Sequence, residues 1–285
     1  MNIAIIYRTH IWNDEIASTF EYMRKSLPNT DVFLSYDSKS CIPTIDYDKI
    51  HVYSEDTIRS RNWNDTKPDG PEYGNLIWYR GDISVVDFSL LHPQYDFIWN
   101  IDYDVTYTDW NDFVTITKQN LENVDFSSCD MSDSNMFPLW GRWGQQSTNY
   151  LPVIAGYFAF FGLSKRACTA LNELYKVHHG YCEVITPTLI HYNNMVCKDV
   201  KHVYPNYVQF KHKNITPFGR YTDHIWHVAY GLTPEKINKV KDWIKTTSPE
   251  INCDELSTID MVRHIYFNYS GHWENWSKDH LQSKN

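Results

Sequence analysis

The sequence predicts an α/β protein with a mostly parallel central sheet flanked by helices, on three observations. Short apolar runs at residues 2–7, 31–37 and 49–54 are joined by one amphipathic stretch and short connections, the opening of a parallel core. Residues 95–107 begin as an apolar strand and end in Asp102-Tyr103-Asp104. Residues 153–163 form a continuous apolar run that reads as a buried central strand.

Taken in order, Ile3 to Tyr7 form a first strand, and Arg8 and Thr9 fall at its C-terminal edge, where parallel sheets bind ligands. At that edge Arg8 and Thr9 suit a nucleotide base or diphosphate, and a surface carboxylate would suit Arg8 equally well. Residues 13–27 read as a helix: Asn13 can cap it, Ile16, Phe20, Met23 and Leu27 fall on one stripe, and Pro28 ends it. Residues 31–37 and 49–54 are the second and third strands, with Tyr36 and Asp37 ending the second. Residues 56–75 are polar and rich in Pro and Gly and read as a loop. A helix over 76–90 carries Arg80 and Asp82 in its first half and leads into the strand of the Asp pair. Further elements follow: a helix at 110–121, a strand at 124–129, the apolar strand at 153–163, and a helix at 165–177 capped by Ser164. In the apolar strand, Gly156 marks a close approach to the backbone. Beyond it come a helix starting at Cys182 with Glu183 in its first turn, a strand at 200–208, and two helices after residue 233. Residues 131–150 are the least regular, and their Trp140-Gly141-Arg142-Trp143-Gly144 centre suits either a lid that stacks on a ligand or a loop pinned by its tryptophans.

Composition narrows the function classes. The 285 residues are 42% apolar and 21% charged, which suits one large domain or two small ones. A net charge of −9 argues against a general nucleic-acid binder, which needs a basic surface. With 21 Tyr and 11 Trp the chain is rich in flat amphipathic rings, most of which a large core will bury. Cys41, Cys129, Cys168, Cys182, Cys197 and Cys253 include no Cys-x-x-Cys pair, so reduced, buried thiols of a cytoplasmic protein are expected. No stretch has the length or flanks of a signal peptide or a membrane span. The first strand is followed by neither Gly-x-Gly-x-x-Gly nor Gly-Lys-Ser/Thr, which removes the dinucleotide fold and the P-loop.

The Asp pair carries the chemistry. Strand side chains alternate, so Phe97, Trp99, Ile101 and Tyr103 share one face, and Asn100, Asp102 and Asp104 the other. Two carboxylates on one face repel unless a cation sits between them. Mg²⁺ and Mn²⁺ take one or two carboxylates together with substrate phosphates. An Asp-x-Asp in a turn is common, and it is the apolar strand leading into this one that sets it apart.

The order of elements, with Asp102-Tyr103-Asp104 after the fourth strand, a lid-like loop, a Gly-containing apolar strand, a helix with an early Glu and a late His, resembles the GT-A class of nucleotide-sugar glycosyltransferases over most of the chain. The resemblance implies a single GT-A-like domain, with a nucleotide-sugar-binding half at 1–125, an acceptor-side half at 126–232 and C-terminal helices at 233–285. It implies a hexosyl- or pentosyltransferase that uses a UDP- or GDP-type sugar, Mn²⁺ or Mg²⁺, and a glycan acceptor. Asp102 and Tyr103 are expected near the ribose and metal, Asp104 as direct metal ligand, and His227 or His224 as a further ligand, with His272 behind them. Asp37 matches the base-contacting position, and Arg80 or Arg220 could add positive charge at the phosphates. Glu183 is the candidate general base, ahead of Asp130 and Asp133; a Glu in a first helical turn also serves as a plain helix-start residue. A nucleotidyltransferase and a non-catalytic glycan-binding module are the competing readings.

Overall fold

The protein is described here by a computed structural model, covering residues 1–39, 43–68, 74–103, 105–107, 110–133, 154–203, 216–218, 225–227, 234–250 and 252. Its centre is a seven-stranded sheet of β1 (Ile3–Thr9), β2 (Asp31–Asp37), β3 (Ile50–Tyr53), β4 (Phe97–Asp102), β6 (Phe126–Asp133), β7 (Ile154–Ser164) and β8 (Cys197–Asp199). The spatial order is β3-β2-β1-β4-β7-β6-β8. The first four strands in that order run parallel, β7 runs antiparallel to both β4 and β6, and β8 is parallel to β6. This is the mixed, mostly parallel sheet with flanking helices expected of the GT-A class. A second, three-stranded sheet joins β5 (Val105–Tyr107), β10 (Ile225–His227) and β9 (Thr216–Phe218).

Helices cover both faces of the large sheet. Helix α1 (Asp14–Ser26) starts where Asn13 Oδ1 accepts the Ile16 N–H at 2.9 Å, and its stripe of Ile16, Phe20 and Met23 is buried. It shares a face with α5 (Trp110–Asn120), on which Trp99 of β4 packs and donates its indole N–H to Thr117. The opposite face carries α4 (Ile83–Leu91), α6 (Lys165–Leu174) and α7 (Cys182–Tyr192). As expected, Ser164 caps α6, accepting the Ala167 N–H at 3.0 Å.

Four boundaries differ from the sequence expectation. The loop expected from residue 56 begins as a short helix, α2 (Glu55–Ser60), because Ser54 and Thr57 form a reciprocal capping box. The helix expected over 76–90 is broken into α3 (Leu76–Tyr79) and α4, since Arg80, Gly81 and Asp82 turn their polar groups to partners elsewhere in the fold. Of the strand expected at 200–208, Val200–His202 form a 3₁₀ turn and 204–208 lie outside the described residues, while a short strand, β8, comes just before. The segment expected to be irregular from residue 131 begins as the end of β6, while 134–150 lie outside the described residues. Of the two C-terminal helices, α8 (Pro234–Thr247) is described and the stretch from 253 is not.

Candidate functional site at the C-terminal edge of the parallel strands

Strand register brings the first two site residues together. β1 and β4 are parallel neighbours, and Arg8 is paired with Asp102. Side chains at paired positions of parallel strands point the same way, and the guanidinium meets the carboxylate as a fork: Nε to Oδ1 at 2.7 Å and Nη2 to Oδ2 at 2.8 Å. Burial works against the Arg8 charge, but the Asp102 carboxylate outweighs it and holds the pKa above its ordinary value. The third edge of the guanidinium donates from Nη1 to the Gly81 carbonyl. A Cβ on Gly81 would sit 2.6 Å from that nitrogen, so any side chain there would push the guanidinium out of this position. Asn100, two residues before Asp102 on the same face, donates from Nδ2 to Asp102 Oδ1 at 3.0 Å. Asp102 is thus gripped from two sides, with 20% of its side chain exposed at the sheet edge.

The turn after β4 is tied to β1 as well. The Tyr103 N–H donates to Arg8 O at 2.8 Å, and Tyr7 Oη donates to Tyr103 O at 2.9 Å. The ring of Tyr103 meets His10 edge-on at 5.1 Å. Asp104 itself lies outside the described residues. The chain resumes in β5, and there Val105 is paired with His227 of β10. The late histidine expected to join the Asp pair therefore has its backbone directly across from the residue that follows Asp104, although the two are more than a hundred positions apart in sequence.

Glu183 lies in the first turn of α7, 5% exposed. Its Oε1 accepts the Phe158 N–H of β7 at 3.1 Å, and Tyr181 hydrogen-bonds to it through its side chain. That N–H is available because the β6–β7 ladder slips between Ser128 and Ser132. Here Gly156 is approached closely, with Ser128 Oγ 2.9 Å from where a Cβ would be. The neighbouring Cys182 hydrogen-bonds the Gly81 backbone and lies within electrostatic reach of Arg8, so the start of α7 borders the Arg8–Asp102 pair. Burial, then Asp82 and Glu183, push the Cys182 thiol well up, so it stays protonated and is no nucleophile.

Other expected site residues have local roles. Thr9, nearly fully buried, donates from Oγ1 to Ile11 O and accepts the Ile11 N–H, closing the turn after β1. Asp37, at the end of β2 one strand away from Arg8, accepts the Lys39 N–H at 3.0 Å. Arg80 is a correction. It is fully buried, bonded to Asp82 Oδ1 at 3.3 Å and Asn64 O at 3.1 Å, and stacked 4.3 Å over Tyr175, so its charge lies inside the protein, with Nη2 left without a hydrogen-bond partner among the described residues, and does not reach the sheet edge. Asp82 in turn accepts from Thr186 at 3.0 Å. Arg220, His224 and His272 lie outside the described residues, and Asp130 and Asp133 are described as backbone positions of β6.

Sequence reading missed Gly81, Tyr181 and the bond of Cys182 to the Gly81 backbone. The Arg80-Gly81-Asp82 triplet was the available signal, but a glycine that accommodates a guanidinium from another strand is visible only once strand order is known. One further cluster has the residue types of a nucleophile triad: Ser35 Oγ lies 2.9 Å from His51 Nδ1, and His51 Nε2 lies 3.2 Å from Asp87, which also binds Arg61. Ser35 is fully buried, so this line braces β2, β3 and α4 and offers no attacking group.

Comparison with known proteins adds a likeness of fold. No protein family and no curated protein matches this chain in sequence. Among solved structures it is similar to a glycosyltransferase involved in glycosylation of the major capsid of PBCV-1, at 14% identity and TM-score 0.33, over 61% of this chain and 64% of that one. It is also similar to the galactosyltransferase LgtC, at 10% identity and TM-score 0.39, over 69% and 72% of the two chains. A third similarity is to 4-diphosphocytidyl-2C-methyl-D-erythritol synthase from Anaerococcus prevotii, at 11% identity and TM-score 0.40, over 86% and 96%. At such scores the likeness decides nothing about activity, and the functional reading rests on this chain's own residues.

Proposed function

We propose that the chain is a metal-dependent glycosyltransferase that moves a sugar from a nucleoside-diphosphate sugar, of UDP or GDP type, to a hydroxyl of a glycan acceptor. The observation that carries the reading is the pairing of Val105 with His227 just beyond the Arg8–Asp102 fork, at the ligand-binding edge of a parallel sheet. It brings the backbone of His227 beside the stretch that carries Asp102 and Asp104, next to Arg8, so three separate stretches of sequence meet at one edge. A carboxylate and an imidazole, with phosphate oxygens of the donor completing the shell, would suit Mn²⁺ or Mg²⁺. Because Asp102 already bonds Arg8 and Asn100, Asp104 and His227 are the proposed direct ligands and Asp102 the anchored neighbour. When bound, the ion would offset the charge of the departing nucleoside diphosphate.

The chain's own residues do the remaining work. Arg8 holds Asp102 in one orientation, and Thr9 and Asp37 border the base and ribose on the β1–β2 side. Glu183 is the proposed base for an inverting transfer, taking the proton of the acceptor hydroxyl. Its bonds to Phe158 and Tyr181 fix its position and also compete for its lone pairs, so the Gln variant is diagnostic.

The test is thermal shift with Mn²⁺ and a panel of nucleoside diphosphates, alongside hydrolysis of the matching nucleotide sugars. A ligand that binds only the native state raises the melting temperature by mass action. The wild type is expected to shift only with metal and nucleotide together. Asp104→Asn is expected to abolish the shift and Asp102→Asn to weaken it, while Glu183→Gln keeps it and loses transfer by about 10²- to 10⁴-fold. A wild type that never shifts, or an Asp104→Asn variant that shifts equally, would overturn the assignment.

A further inference from the structure

In β4, Asn100 occupies a position that packing alone would give to an apolar residue. It is fully buried, and its partners in register are Ile6 of β1 and Phe161 of β7, both fully buried as well. Paired residues of neighbouring strands turn to the same face, so an amide sits here between two hydrocarbon side chains. Its Nδ2 donates to Asp102 Oδ1 at 3.0 Å, while its Oδ1 finds no hydrogen-bond donor among the described residues. Turning the amide over does not help. Paired with Arg8, Asp102 is a carboxylate that only accepts, so the nitrogen must face it and the oxygen must face away. A buried acceptor without a donor is destabilising, and folded proteins hold few of them. A leucine of similar size would remove that cost, and all it would give up is the bond to Asp102.

We infer that Asn100 is a positioning residue: it holds the Asp102 carboxylate in the orientation that nucleotide and metal require, and it does so at a cost in stability. Its hold differs in kind from that of Arg8. Arg8 Nε reaches the same Oδ1 at 2.7 Å, but from a long side chain at the end of another strand. Asn100 is short, fully enclosed and two positions back on the strand of Asp102 itself. It therefore fixes Oδ1 relative to β4, with little side-chain freedom left to disturb the bond. The inference rests on the proposed function for the identity of the ligand, and on the geometry of β4 for the role of the amide.

The probes are UDP and GDP, each with Mn²⁺, titrated by thermal shift against the wild type, Asn100→Leu, Asp102→Asn and the double variant. Asn100→Leu removes the orphaned oxygen together with the donor, so without ligand it should melt no lower than the wild type. Its apparent affinity for nucleotide and Mn²⁺ should nevertheless fall by about tenfold, the lower end of what a hydrogen bond to a charged acceptor contributes. In the Asp102→Asn background the same substitution should lower affinity by about threefold or less, because the acceptor it works through is no longer charged. A residue that merely packs the core would show no such coupling. Equal affinity of the wild type and Asn100→Leu overturns the inference. An equal loss in both backgrounds also overturns it, since Asn100 would then act by a route other than Asp102. Asn100→Ala, which needs no room for a branched side chain, carries the same comparison if Asn100→Leu folds poorly. A wild type that responds to neither nucleotide sinks the proposed function and this inference with it, whereas a responding wild type matched by Asn100→Leu sinks the inference alone.

Discussion

Asp102 enters any reaction already paired with Arg8. The fork is bidentate, partly buried and closed on its third side by the Gly81 carbonyl, so the two charges form one unit. Removing either partner leaves the other charge poorly solvated, and removing both relieves that cost. Arg8→Ala and Asp102→Asn should each destabilise the protein by about 2 kcal/mol, and the double variant by clearly less than the sum. Denaturant unfolding of the four proteins measures the coupling. Strict additivity would mean the fork holds nothing together. Arg8→Lys should behave nearly as badly as Arg8→Ala, since an ammonium cannot span both carboxylate oxygens and the carbonyl at once. This pair also marks how far the site was legible in the sequence. Arg8 and Asp102 were each visible as ends of apolar runs, but their meeting depends on β1 lying beside β4, a fact of topology and not of either stretch. Arg80 shows the reverse error. It was expected to add positive charge at the phosphates, and only the packing of Tyr175 and Thr186 around it and Asp82 makes the two an interior pair.

The elements were more legible than the site, because their signals are local. The cap and stripe of α1 and the Ser164 cap of α6 need only a few consecutive residues, and both stand as expected. The capping box at Ser54 was equally local, yet the Pro and Gly that follow pulled the whole stretch toward a loop reading. The break between α3 and α4 could not be seen, since the partners that cause it come from β1 and α7. Close strand packing was legible only at Gly156, while the tighter contact is at Gly162. There a Cβ would fall 2.3 Å from Phe97 Cε1 and 3.0 Å from Trp99 Cε3, across the antiparallel β4–β7 pair. Neither ring can withdraw, as both are buried between α5 and the sheet's neighbouring strands. Gly162→Ala should therefore cost about 1–3 kcal/mol by overpacking, despite the better strand propensity of alanine. Combining it with Phe97→Leu should recover part of the loss, which thermal unfolding will read. A neutral Gly162→Ala would show that β4 and β7 are less tightly apposed.

Across the molecule, the long-range joints are anchored by carboxylates, and they titrate with one sign. Asp125 ties the start of β6 to α6 and β8: it accepts Ser164 Oγ at 2.8 Å, Arg166 Nε at 2.8 Å and the Val196 N–H at 2.9 Å. Burial would raise its pKa, but these donors outweigh it and leave the carboxyl below the usual carboxylate range. Asp87, which braces β3 and α4, is likewise depressed: burial opposes, and His51 and Arg61 prevail. Asp31 is lowered by Lys49 first and by Tyr95 next. A carboxylate whose folded pKa lies below its unfolded one binds fewer protons when folded. Its contribution is complete above the unfolded value, near 4, and disappears as pH falls through the folded value. His92 acts in the same direction from a higher starting point. Burial and the neighbouring His51 lower its pKa, so the unfolded chain takes up that proton first, from about pH 6.5 downward. Stability should accordingly sag slightly below about pH 6.5 and fall steeply below about pH 4, with no opposing gain from these groups. Asp125→Asn should lower stability at pH 7 by about 1–3 kcal/mol, because the hydroxyl and amide donors around it lose a charged acceptor. It should also make the acid limb shallower, since one of the protons taken up on unfolding is gone. Melting temperatures of the wild type and Asp125→Asn, compared from pH 7 to pH 3, should converge as the pH drops. Curves that stay parallel down to pH 3 would place the acid sensitivity elsewhere and leave Asp125 as a neutral packing joint.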